Sequence, residues 1–265
     1  MKITEVQTFT VRVPTVPGSW HSPEFGDPGW DDETAVIVRF LTDEGLVGVG
    51  EVPRTIPEVT VRKYVPQVIG CDPLDLNLQS LPIGGEFDRA SGVYEAFEMA
   101  IYDLVGKARG VPAYQLLGGA YRDRVLVSLC SGQMTPADAA RLARKAVDRG
   151  YRYLKMKSTE TDPLVERIAA INAEVGTDIR IVVDPMERFH RPVVLDEVCR
   201  RLEPYHDNIQ CFEDPFDRLN LDWYVMMRQK VHFPLALMLT YPPRAIVQAI
   251  KAEACDYLNM GGGSA

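Results

Sequence analysis

Four charged residues have the types and spacing for proton-transfer chemistry: Lys155 and Lys157 in YRYLKMKST, Asp184 in IRIVVDP and Glu213 in IQCFEDP. Side chains alternate along a strand, so Tyr153, Lys155 and Lys157 face one way while Leu154 and Met156 face the other. Two ammonium groups on one face repel, which lowers at least one pKa and prepares a lysine to abstract protons near neutral pH. Lysines guarding a solvated edge strand are the competing explanation. Lys155 to Asp184 and Asp184 to Glu213 are each 29 positions, so a charge returns once per unit at the ends of successive predicted strands. Carboxylates aimed at one point repel unless a cation lies between them, and hard oxygen donors in an open site suit Mg²⁺. An ion so placed would bind a substrate carboxylate and stabilise the enediolate left when the α-proton departs, with the nearby lysine as base. Plain Lys155–Asp184 or Lys157–Glu213 ion pairs with a structural role are the alternative.

The elements that must position these residues follow two grammars. Residues 1–125 open with KITEVQTFTVRV and TAVIVRFLTDEGLVGVGEV, an antiparallel meander turning at TDEG, and then become helical. VYEAFEMAIYDLVGKARG places Phe97, Ile101 and Leu104 at helical spacing and stops at Gly110 with Pro112 beyond. Between the first strands, VPGSWHSPEFGDPGWDD carries Trp20, His21, Phe25 and Trp30. A long loop of this kind suits a lid over substrate, with Trp20 and His21 as substrate contacts. Residues 126–265 alternate strand and helix. RVLVSLC, RYLKMKS, IRIVVDP, IQCFEDP, PLALMLT and CDYLNM read as strands, and PADAARLARKAVDRG, DPLVERIAAINAEVG, VVLDEVCRRLEPY and PPRAIVQAIKAEA as helices. Repeated βα units imply a parallel sheet, and charges at the C-terminal ends of several strands are the habit of a (β/α) barrel. The expected fold is α/β: an α+β capping domain over 1–125 and a TIM-like barrel of about six strands over 126–265, C-terminally incomplete.

Composition narrows the function. The 265 residues are 46% hydrophobic and 25% charged with a net charge of −8, ordinary for a globular protein and unfavourable for a polyanionic partner, so no nucleic acid is expected. No apolar stretch is long enough to cross a bilayer, and the N-terminus lacks the apolar core of a signal peptide. Five scattered cysteines without a CxxC read as reduced thiols of a cytoplasmic protein.

YEAFEMAIYDLVGKARGVPAYQLLGG resembles the helix and turn of the mandelate racemase/muconate lactonizing branch of the enolase superfamily. KMK is similar to that group's K-x-K motif, VVDP to its third-strand metal aspartate, and FEDP to its fourth-strand metal glutamate, and the likeness runs to DYLNMGGG. The resemblance implies a capping domain whose loop closes over a modified TIM barrel and a Mg²⁺ site using Asp184 and Glu213. It implies Lys157 as base and Lys155 as its electrostatic partner or a substrate ligand. The implied substrate is a small carboxylate, a hydroxy acid or acid sugar, which loses its α-proton on the way to dehydration, epimerisation or racemisation. A homo-oligomer is also implied. Two departures accompany it. The group's fifth strand ends in a third acidic ligand, where this chain offers Met238, Leu239 and Thr240; Glu187 in DPMERFH is a substitute or a solvated loop residue. The strands that bring an opposing acid/base are also missing after DYLNM. A non-catalytic homologue that keeps the fold is therefore the alternative, and a sugar-binding α/β module without metal dependence a further one.

Overall fold

The computed structural model describes residues 1–15, 20–25, 32–52, 56–84, 92–239 and 243–260. Its contacts divide the chain into two units, Met1–Thr15 with Asp32–Asp123, and Val16–Asp31 with Arg124–Gly262.

In the first unit, β1 (Ile3–Pro14), β2 (Asp32–Thr42) and β3 (Val47–Val52) form an antiparallel sheet in that order. The turn between β2 and β3 closes as the Gly45 amide donates to Thr42 O at 3.1 Å, with Gly45 at φ 79°, a conformation that glycine adopts without steric penalty. Two short helices, α1 (Glu58–Arg62) and α3 (Ala113–Leu116), flank α2 (Gly92–Arg109), which ends where Gly110 turns to φ 67°. Phe97, Ile101 and Leu104 are fully buried, as their spacing predicts, against Val36, Val38, Phe40 and Val52 of the sheet. Phe97 meets Phe40 edge to face with centroids 5.0 Å apart. The helix lies so close to β3 that a Cβ on Gly50 would strike the carbonyl of Ala96, and one on Gly48 the carbonyl of Ala100.

The second unit is a parallel sheet of six strands in sequence order: β4 (Ser128–Ser131), β5 (Tyr153–Lys157), β6 (Arg180–Asp184), β7 (Ile209–Glu213), β8 (Leu235–Met238) and β9 (Tyr257–Asn259). Each predicted strand segment overlaps one of them, although the first starts later than RVLVSLC: Val125, Leu126 and Val127 precede β4 and are exposed. Between strands run α4 (Pro136–Asp148), α5 (Leu164–Val175), α6 (Pro192–Leu202), α7 (Leu221–Arg228) and α8 (Pro243–Lys251). The sequence reading missed α7, whose LDWYVMMR is only eight residues long and carries apolar side chains almost all round, leaving no helical stripe to recognise. Strand alternation divides the side chains. Leu154, Met156, Ile181, Val183, Phe212, Leu235 and Leu237 enter a core with Ile168 and Ile171 of α5 and Leu195 and Leu202 of α6, leaving Lys155 and Lys157 on the opposite face. Among the described residues no helix is long and apolar enough to cross a membrane.

Gly50→Ala should lower unfolding free energy by at least about 1–3 kcal/mol, because backbone rather than a movable side chain fills the space a Cβ needs. Urea denaturation of the whole chain followed by near-UV dichroism checks this, with Gly45→Ala, where nothing crowds the Cβ, as the variant that isolates backbone strain from packing.

Candidate active site

Pairing register brings the charged residues together. Lys157 lies opposite Asp184 on β6, and Val183 opposite Phe212 puts Glu213 next along β7. The Lys157 ammonium donates to Asp184 Oδ2 at 2.5 Å. The Lys155 ammonium donates to Glu213 Oε1 at 2.6 Å and stands 3.0 Å from Asp184 Oδ2, so one ammonium bridges both carboxylates. The side chains of Asp184 and Glu213 are 5% and 6% exposed, those of Lys155 and Lys157 21% and 18%, so the cluster is mostly but not wholly withdrawn from water. Sequence reasoning missed another member, Asn259 of β9, whose amide donates to Glu213 Oε1 at 2.9 Å. Nothing within DYLNM marks it, because its place comes from strand pairing, with Asn259 opposite Met238.

The ionisation of Lys155 goes opposite to the expectation from lysine repulsion. Burial works against its charge, but the hydrogen bond to Glu213 and the charge of Asp184 outweigh burial and raise its pKa. Burial likewise opposes charge on Asp184, and the hydrogen bond from Lys157 with the charges of both lysines holds its pKa below the ordinary carboxylate value. Like charges on one strand face are thus compensated by opposite charges on the next two strands.

Loops after the strands lock this rim. Among the described residues, four non-glycine positions have positive φ, and three of them, Met186, Glu187 and Asp214, directly follow β6 and β7. Such backbone is costly and persists only where surroundings enforce it. Here Met186 N donates to Asp184 Oδ1 at 2.9 Å, Glu187 N to Asp214 O at 2.8 Å, and Met238 N to Asp214 Oδ1 at 2.9 Å. Glu187 accepts from Arg218, at 3.0 Å from its backbone amide and 2.7 Å from Nε, so this partly exposed loop residue serves as an ion-pair partner. Below the lysines a second ion pair is almost completely buried: Arg167 of α5 donates to Asp162 Oδ2 at 3.1 Å, to Ser158 Oγ at 3.3 Å and to the Lys157 carbonyl at 3.1 Å. Asp162 also accepts from Thr159 N and Oγ1 and from Gln133 Nε2, tying the loops after β4 and β5 together.

Of the loop expected to cover substrate, the described residues 20–25 group with the barrel unit. Gly132 N donates to the Trp20 carbonyl at 2.5 Å, Ser22 N to Gln133 O at 2.9 Å, and Ser22 Oγ bonds Asp138 at the start of α4. A Cβ on Gly132 would fall 2.8 Å from the Trp20 indole nitrogen, so glycine is required for this approach. His21 lines a cavity of about 270 Å³ with Met134, Asp138, Arg141 and Lys145, and none of the four clustered charges lines it. Trp30 and Thr240 lie outside the described residues.

The donors here do not fit a resident Mg²⁺. That ion demands near-octahedral oxygen ligation. Asp184 and Glu213 are the right donor type, but both Asp184 oxygens and Glu213 Oε1 already accept from Lys155, Lys157, Asn259 and Met186 N. At the end of the next strand stand Met238, a thioether, and Leu239, which is 5% exposed and packed in the core. No cluster of three His, Cys, Asp or Glu suited to a metal occurs among the described residues.

A parallel barrel-type sheet with charged groups on the C-terminal ends of successive strands defines a class of α/β proteins that work at that rim. Residues 138–262 match the family described as enolase C-terminal domain-like, and residues 24–118 the mandelate racemase/muconate lactonizing enzyme N-terminal domain. The chain is 29% identical over 273 residues to N-succinyl-L-Arg/Lys racemase of Bacillus cereus, covering 98% of this chain and 72% of that protein. It is 30% identical to D-gluconate dehydratase of Thermoproteus tenax (86% of this chain, 51% of the relative) and 31% identical to D-galactonate dehydratase of Verminephrobacter eiseniae (89% and 61%). The crystal structure of the Bacillus cereus racemase superposes with a TM-score of 0.75 at 26% identity, covering all of this chain and 74% of that one. This chain belongs to the mandelate racemase/muconate lactonizing enzyme group of the enolase superfamily. It spans between about half and three quarters of the length of these relatives.

Two stability predictions follow from the buried charges. Arg167→Met leaves Asp162 buried without its cation and should cost about 3–5 kcal/mol in denaturant unfolding, with Arg167→Met/Asp162→Asn recovering part of the loss. Burial pushes the Asp214 carboxyl up to about 7, against the hydrogen bond from Met238 and the nearby Arg218. Its unfolded form ionises near the ordinary 3.8. Between those values the native state holds the extra proton, so this group's contribution is complete below about pH 4, declines as pH rises, and is gone above about 7, by up to roughly 4 kcal/mol. Asp214→Asn should flatten that decline in a series of urea melts from pH 4.5 to 8.

Proposed function

We propose that this chain abstracts the α-proton of a small carboxylate substrate, a hydroxy acid or acid sugar, with Lys157 as base and Lys155 as a fixed positive charge. The observation that carries this reading is the convergence of two ammonium groups and two carboxylates at the ends of three successive strands, within hydrogen-bonding distance of one another. The Lys157 ammonium first gives up a proton to solvent, and the free amine then takes the substrate proton on its lone pair; the N–H bond forms as C–H breaks, and that electron pair moves into the enolate. Asp184 then pairs with the new ammonium at Lys157, and Lys155 faces the charge that accumulates on the substrate oxygens. Protonation of the planar carbon from solvent gives epimerisation or racemisation, and departure of a β-hydroxyl as water, with a proton from solvent, gives dehydration. The relatives named as a racemase and as acid-sugar dehydratases support this range of outcomes. Because the donors do not fit Mg²⁺, no step runs through a metal.

A second reading is a homologue that keeps the fold without turnover. The closure of Lys155 onto both carboxylates favours it, since groups engaged with one another must be released before they meet substrate.

Exchange of substrate α-hydrogen for solvent deuterium, followed by NMR, decides between the two. With gluconate, galactonate and N-succinyl amino acids as the panel, the catalytic reading expects exchange with at least one, reduced about 10²–10⁴-fold in Lys157→Met. Exchange at the uncatalysed rate across the panel would leave the second reading standing.

A further inference from the structure

The donor set and the metal expected from the resemblance disagree, and the disagreement identifies a different counterion. We propose that the Lys155 ammonium is the built-in cation of the Asp184–Glu213 pair, holding the place a divalent ion would take and keeping Mg²⁺ out. It stands 2.6 Å from one carboxylate and 3.0 Å from the other, at contact distance from both.

Charge balance argues the same way. Two carboxylates and two ammonium groups sum to zero, so adding Mg²⁺ would leave an excess of two positive charges where the side chains are at most 21% exposed. A cluster that already balances its own charge offers a divalent ion no net Coulomb attraction to offset the loss of its hydration shell. Displacing Lys155 instead would strip it of both partners in a layer where it pairs in register with Cys130 on one side and Val182 on the other. Neither neighbour can take up an ammonium. Further donors already stand on three of the four oxygens, since Asn259 donates to the same Glu213 Oε1 and Met186 N to Asp184 Oδ1.

The inference deepens the reading under Proposed function, because it concerns the same cluster, but its test reads binding and not turnover, so either can fail alone. The full chain is titrated with MgCl₂ by calorimetry and melted with Mg²⁺ or EDTA, as wild type, as Lys155→Met, which keeps an unbranched stem, and as Lys155→Met/Asp184→Asn. Wild type should give no saturable heat and an unchanged Tm. Lys155→Met should melt lower, bind Mg²⁺ at least roughly tenfold more tightly than wild type, and regain Tm when the ion is added. The double variant should lose that rescue. If Lys155→Met does not fold, Lys155→Gln replaces it. Saturable Mg²⁺ binding to wild type, lost in Asp184→Asn and in Glu213→Gln, would overturn the proposal, and so would a folded Lys155 variant that gains no affinity.

Discussion

Two carboxylates at the ends of neighbouring strands can be held a few ångströms apart only with positive charge between them, and the rim of the barrel unit is organised by that demand. Parallel register sets the problem by placing Asp184 beside Glu213, and strand β5 answers it with lysines two residues apart, the spacing that returns a side chain to the same face. Leu154 and Met156 alternate with them into the core, so the burial that stabilises the unit also fixes which way the lysines point. A one-residue slip of β5 would bury both ammonium groups among Ile168 and Ile171, a cost no nearby contact would offset.

The surrounding loops convert this pairing into a rigid arrangement. With positive-φ backbone at Met186, Glu187 and Asp214, the Met186 amide reaches the Asp184 carboxylate, the Glu187 amide the Asp214 carbonyl and the Met238 amide the Asp214 carboxylate, while Arg218 ties Glu187 to the end of β8 through the Met238 carbonyl at 3.3 Å. Arg167 and Asp162 do the corresponding work under β5, reaching the carbonyl of Lys157 itself. Buried ion pairs are weak contributors to stability when compared with apolar replacements, yet costly to break singly, and both properties suit residues whose purpose is orientation.

Much of this was legible in the sequence because it rests on short-range rules. The 29-residue return from Lys155 to Asp184 to Glu213 encodes the βα unit, and alternation within YLKMK encodes the facing of the lysines. What escaped was set by pairing between distant segments. Asn259 gains its role only from the register of β9 on β8, Glu187 only from an arginine 31 positions later, and Arg167 looks like a surface residue of an amphipathic helix until the loop after β5 folds over it. The raised pKa of Lys155 was out of reach for the same reason: repulsion within one strand is local, whereas the carboxylates that favour its charge arrive from two others.

The residue at the end of β8 decides which cation the rim prefers. Three carboxylates against two ammonium groups would leave a net negative charge and hard oxygen donors to spare, conditions that draw in a divalent ion. With Met238 and Leu239 in that place the count is even, and an ammonium already on the chain satisfies it without the entropy of capturing an ion. The change has a chemical consequence through Coulomb's law, since a single positive charge at equal distance stabilises a developing enolate about half as much as a double one. For the proton abstraction proposed above, such a rim is best matched to carbons whose hydrogens are already acidic.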